Sequence, residues 1–166
     1  LDKAMYDDIF DTLSAAALKP LRDYYRVKAD YANICLFVRA HAMNDIEILK
    51  RCALPYGTIS IKSFEDAFTQ SIDEFMLKFK GKRYERVVTE GLGYYSQRGI
   101  TTVLESLAEN DLSQYLRERK GDVFSIWPLL WYINAKLSEI STIRLIISAR
   151  LNNLDKDIIL ERLKQK

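Results

Sequence analysis

Glycine and proline are distributed very unevenly along this chain. All six glycines lie between Gly57 and Gly121, and the three prolines are Pro20, Pro55 and Pro128. Inside a helix, glycine costs roughly 1 kcal/mol and proline roughly 3 kcal/mol relative to alanine. The glycine-free ends, residues 1–56 and 122–166, therefore predict long helices, with a more broken middle. Apolar residues recur at helical spacing throughout, and no segment alternates as a strand would. The expected class is all-α, a multi-helix bundle within a single domain covering residues 1–166.

Local signals place the elements. A first helix is expected over about 2–17, with Tyr6, Ile9, Phe10 and Leu13 as its apolar stripe. Pro20 opens a longer helix, since proline fits a first turn, and "MND" at 43–45 ends it with caps for a short third helix. "LPYGTIS" at 54–60 reads as a loop. "SFED" at 63–66 and "SIDE" at 71–74 resemble capping boxes. A helix over 83–90 is expected to stop at "GLG", and another runs from about 100 to 119. Ser125 caps a helix of about 25 residues with Pro128 in its first turn. There Leu130, Ile133, Leu137, Ile140, Ile147 and Leu151 recur three, four or seven apart. "NNLD" breaks it before a last helix over 155–164.

The two ends resemble each other. Displaced by 109 residues, Leu21 meets Leu130, Ile34 meets Ile143, Ala40 meets Ala149, Asn44 meets Asn153, and Asp30 falls on Glu139. Two related helical units, about 20–53 and 128–165, are thus expected, joined by a helical segment over about 60–121.

The net charge of +2, with 29% charged and 48% hydrophobic residues, argues against nucleic acid as the main partner. No apolar run reaches the ~18 residues of a membrane span. Cys35 and Cys52 form neither a disulfide framework nor a metal pattern. The chain opens on Leu1 within an apparent helix, and we expect it to be a fragment of a longer protein.

Three motifs invite chemical readings. "DDIFD", with Asp7, Asp8 and Asp11, has the pattern by which isoprenoid diphosphate synthases hold magnesium. Magnesium needs oxygen ligands in tight octahedral order. In the second cluster, "NDLSQYLRE" at 110–118, Ser113 stands one residue early and Gln114 takes its slot, a turn of about 100° around a helix. A solvated helix face is the simpler expectation. "GLG" at 91–93 lacks the remaining features of a phosphate loop, and His41 has no partner spacing with either cysteine. "KFKGKRYER" at 78–86 reads as a basic solvated face.

The most distinctive segment is "YINAKLSEISTIRLIISARLNNL", 132–154. Its charges Glu139, Arg144 and Arg150 interrupt an apolar helix and must reach solvent, one another or a partner. The segment resembles the closing motif of the C/AC39 family of stalk proteins in V-type and archaeal A-type rotary ATPases. The matching residues are Glu139, Ile143, Arg144, Ile146, Arg150, Leu151 and Asn152. "DYANICLFVRA", with Asp30, Asn33, Ile34 and Arg39, is similar to a more N-terminal family segment, and "LPYGTIS" to the loop after it. Tyr56 stands where the family often has a glycine.

The resemblance implies the C-terminal half of a member, built from repeated helical units. It implies a non-catalytic central-stalk subunit of a V-type ATP synthase or ATPase, with no cofactor, metal or small-molecule substrate. Its implied work is to couple the rotating shaft of subunits D and F to the membrane rotor ring of proteolipid subunits, beside the membrane stator subunit, and to pass torque for ion transport. It would be cytoplasmic and peripheral to the membrane. Glu139, Arg144, Arg150 and Asn152 would be partner contacts or a fold signature. An unrelated helical adaptor and the magnesium-diphosphate enzyme are the alternatives.

Overall fold

The computed structural model describes residues 2–14, 18–99 and 101–152. These form helices with no strand among the described residues: α1 (Asp2–Thr12), α2 (Lys19–Met43), α3 (Ile46–Cys52), α4 (Ile61–Ala67), α5 (Ile72–Leu77), α6 (Glu85–Arg98), α7 (Thr102–Arg119) and α8 (Trp127–Leu151). Two compact units divide the chain, residues 1–108 and 109–166. The expected helix over 155–164 and the "NNLD" break lie largely outside the described residues.

The caps follow local chemistry. Asn44 closes α2 in the left-handed region at φ 52°, a conformation asparagine tolerates. Asp45 then accepts from the N–H groups of Glu47 and Ile48 to open α3. Ser71 and Glu74 form a reciprocal capping box on α5. "SFED" behaves differently: the cap of α4 is Ser60, which accepts from Ser63 N, and so the helix starts earlier than expected.

"GLG" is also not a turn. It lies within α6, which runs on to Arg98 and ends at Gly99 with φ 67°. The reason is packing. A Cβ on Gly91 would stand 2.6 Å from Leu104 Cδ1 and 2.9 Å from its Cα. Gly91 is what lets α6 and the start of α7 touch, and that contact outweighs the weak helix propensity of glycine.

The first unit is built on α2, which packs on α3. Asp30 and Asn33 are its fully buried polar residues. Asp30 accepts from Thr58 N and Ile59 N, both at 3.0 Å, and from the Thr58 and Tyr84 hydroxyls. Asn33 brackets Leu54, donating to its carbonyl and accepting from its N–H, both at 2.8 Å. The loop over 53–60 is thus stitched to one face of α2. Burial and the bond to Asp30 raise the Tyr84 phenol well above its usual value. Aromatic packing fills the space on either side. Tyr6, Phe10, Tyr25 and Tyr56 group around Ala29 and Leu54. Phe37 stacks on Phe75 at 3.9 Å and meets Phe64 and Phe68.

Two outcomes are expected. Asp30→Ala leaves buried donors unsatisfied and should destabilise the chain by about 3 kcal/mol. Urea unfolding should show this as a lower midpoint at unchanged slope. Gly91→Ala should cost about 1–3 kcal/mol by overpacking. Gly93→Ala, with nothing within 4 Å of its added Cβ, should stabilise by up to about 1 kcal/mol. Equal effects at the two positions would contradict the close packing of α6 on Leu104.

Candidate functional site

The candidate site is α8, in the second unit. Its start is firmly held. Ser125 Oγ accepts from Trp127 N at 3.3 Å, and Pro128 sits in the first turn. Tyr115 and Trp127 meet edge to face at 5.7 Å. Arg119 lies over the Tyr115 ring at 3.6 Å, and Lys120 over Trp131 at 4.2 Å. Cations over aromatic faces contribute roughly 0.5–2 kcal/mol each. The end of α7 is thereby clamped to the first turns of α8.

Beyond those turns the burial pattern is inverted. An amphipathic helix normally turns its apolar stripe inward. On α8 the covered side carries Trp131, Ala135, Thr142, Leu145 and Ala149, of which Ala149 alone is fully buried. Most of the large apolar residues lie outside. Leu137 is 59% exposed, Ile140 45%, Ile147 53% and Leu151 78%. Nine large apolar side chains of this helix are exposed in all. A run of this kind exceeds ordinary surface scatter.

The four residues singled out by sequence all lie on or next to this helix, and all are exposed. Glu139 accepts from Lys136 one turn away at 2.8 Å. That hydrogen bond and the carboxylate charge raise the Lys136 ammonium above its usual value. Asn152 ends the helix, its side-chain amide donating to Ser148 O at 2.7 Å. Glu139 and Asn152 therefore serve the helix itself. Arg144 and Arg150 have no ion pair among the described residues, and stand as cations on an apolar rod.

A family model described as ATP synthase (C/AC39) subunit matches residues 1–162. The chain belongs to that family. Its members are accessory subunits of rotary V-type ATPases. Comparison with curated proteins and with solved structures finds no match.

Within this AC39-family chain the other motifs take structural places. Asp7 of "DDIFD" accepts a hydrogen bond from the Tyr56 hydroxyl, while Asp8 and Asp11 are exposed on α1. The bond to Asp7, and desolvation after it, push the Tyr56 phenol up to about 12. Phe10 of the same motif stacks on Tyr56 at 4.3 Å. The pentapeptide thus clasps α1 to the 53–60 loop. The "NDLSQYLRE" stretch lies in α7, where Gln114 donates to Glu118 at 3.0 Å. Among the described residues no group of three or more His, Cys, Asp and Glu could hold a metal ion. His41 bonds Gln70 O at 3.1 Å and packs on Phe37 and Phe68. Cys35, half-buried, and Cys52, exposed, stand outside any disulfide. In the basic stretch, Phe79 and Tyr84 are buried rather than displayed. Among the described residues no helix is long and apolar enough to cross a membrane.

Sequence reading missed two things here. The apolar stripe of α8 was legible as periodicity, but periodicity does not say whether a stripe is covered. The 99% exposure of Phe124, in the loop before α8, had no signal beyond its neighbours Gly121 and Asp122.

Exposed residues carry little stability. Leu137→Glu with Ile140→Glu should leave the melting temperature within about 2 °C of the parent chain, measured by circular dichroism. A loss on the order of 10 °C would show that this face is buried in solution.

Proposed function

We propose that this chain is a non-catalytic coupling subunit in the central stalk of a V-type ATP synthase or ATPase. It stands between the shaft of subunits D and F and the membrane rotor ring, beside the stator subunit, and passes torque for ion transport. The place is cytoplasmic and peripheral to the membrane. Family membership supports the complex. The observation that carries the coupling role is the bare apolar length of α8, which needs a protein neighbour to cover it.

Three features fit that work. α2 and α8 are each 25 residues long and free of glycine, which gives stiff elements of about 37 Å. The buried knot at Asp30 fixes the first unit against shear. Arg144 and Arg150 offer contacts that form and break readily, since exposed ion pairs are worth only ~0–1 kcal/mol each.

The two long helices also support a relationship between units 20–53 and 128–165. Both begin with proline in the first turn. Their environments differ. Ile34 and Val38 are fully buried. Their counterparts Ile143 and Ile147 are 55% and 53% exposed. On this reading α8 is the counterpart of α2 whose covering layer comes from a neighbouring protein of the complex.

Titration of the chain against the purified D–F shaft tests the role. We expect saturable one-to-one binding that weakens with salt and is lost in the Leu137→Glu, Ile140→Glu variant. Absence of binding to a folded shaft by the parent chain would remove the coupling role and leave only the family membership.

A further inference from the structure

The exposed residues of α8 have a register, and it specifies their occupant. Leu130, Ile133, Leu137, Ile140, Arg144, Ile147 and Leu151 alternate in steps of three and four. That is the spacing of a coiled-coil seam, with Leu130, Leu137, Arg144 and Leu151 at one core position and Ile133, Ile140 and Ile147 at the other. The covered residues Ala135, Thr142 and Ala149 lie on the side opposite the seam. The seam therefore faces outward along its length, from half-buried Leu130 to Leu151. One core position is wrong for a self-sufficient apolar seam: it holds Arg144, exposed and without an ion pair among the described residues.

The α8 helix of a second copy does not satisfy this arginine. The flanking positions on one edge are Trp127, Asn134, Ser141 and Ser148; on the other they are Leu129, Lys136, Ile143 and Arg150. The one carboxylate of α8, Glu139, lies two positions beyond the core residue Leu137, off the seam and its edges. Whether two copies ran parallel or antiparallel, no acid from residues 127–151 would meet Arg144, and the edge cations would meet only neutral residues or one another. A desolvated, unpaired guanidinium is costly.

We propose that α8 is one strand of a heteromeric coiled coil. Its occupant is a partner helix with an apolar heptad seam of its own and an Asp or Glu opposite Arg144, with further acidic residues along the edge that faces Lys136 and Arg150. The apolar layers supply affinity, and the arginine sets register and excludes self-pairing, as single polar core residues do in coiled coils. This rests on the coupling role proposed above only for the partner's identity; the seam itself is independent of it.

Three synthetic helical peptides test the proposal. Each carries Leu and Ile at the core positions, and they differ in placing Glu, Lys or Leu opposite Arg144. Binding to the full chain is read by fluorescence anisotropy. The Glu peptide should bind one-to-one and at least about tenfold tighter than the Lys peptide. Arg144→Glu should invert that order, and Arg144→Leu should transfer the preference to the Leu peptide. Because Arg144 is exposed, these variants should melt like the parent. No saturable binding by any peptide, or equal affinity for the Glu and Lys peptides, overturns the proposal. So does concentration-dependent dimerisation of the chain, seen by sedimentation and abolished by Leu137→Glu, since that gives the seam to a second copy. Failure to bind the D–F shaft with the Glu peptide still bound would remove the coupling role and keep the seam. Shaft binding without peptide discrimination would do the reverse.

Discussion

Four donors from two separate stretches of chain converge on the carboxylate of Asp30, in the middle of α2. Thr58 and Ile59 bring the loop over 53–60, and Tyr84 brings the residue just before α6. A carboxylate buried without such donors would be expelled to water, so the loop must close over α2 for the helix to pack at all. Gly57 shows how close that approach is: a Cβ there would stand 2.2 Å from Asp30 Oδ1. Asn33, one turn on, secures the same loop at Leu54. Tyr56, held between them, reaches outward to Asp7 and Phe10, so α1 is anchored by the loop that Asp30 anchors. Much of the order in the first unit descends from this one side chain.

The second unit is organised by the opposite principle. Its fixed point is the cation–aromatic clamp of Tyr115, Arg119 and Lys120 with Trp127 and Trp131. Past the clamp α8 continues for several turns with its largest apolar residues outside. Backbone hydrogen bonds keep the helix intact, while the packing free energy available along the seam is not yet realised. Any partner that covers the seam therefore stabilises α8 as it binds, by simple mass action.

Helix existence and type were legible because they depend on short-range terms. The absence of glycine and proline over 21–54 and 129–166 predicts long helices, and α2 and α8 fall largely within those stretches. Asp45, Ser71 and Glu74 cap as their side chains dictate. Errors arose where a long-range contact overrode a local preference. "GLG" reads as a break until Leu104 is brought against Gly91. The solvated face expected of "DDIFD" holds for the exposed Asp8 and Asp11 but not for Asp7, which Tyr56, 49 residues away, bonds. The same limit applies at the site. Arg144 and Arg150 were legible as charges out of place in an apolar helix, but only the contacts of the folded chain separate them from Glu139 and Asn152, which serve α8 itself.

That separation bears on what kind of contact α8 can make. An entirely apolar seam would bind tightly, release slowly and accept many helices, including copies of itself. A seam interrupted by one guanidinium trades some affinity for choice: a partner without an acid at that layer must bury the charge unpaired, while a partner with one gains a charge-assisted bond. For a subunit proposed to sit between moving parts, selectivity of register matters as much as strength, because a one-heptad slip displaces the contact by about 10 Å along the helix. Arg144 lies one heptad beyond Leu137 and one before Leu151. A slip in either direction sets the guanidinium against an apolar layer and the partner's acid against leucine. The penalty is symmetric, so the register is held from both sides.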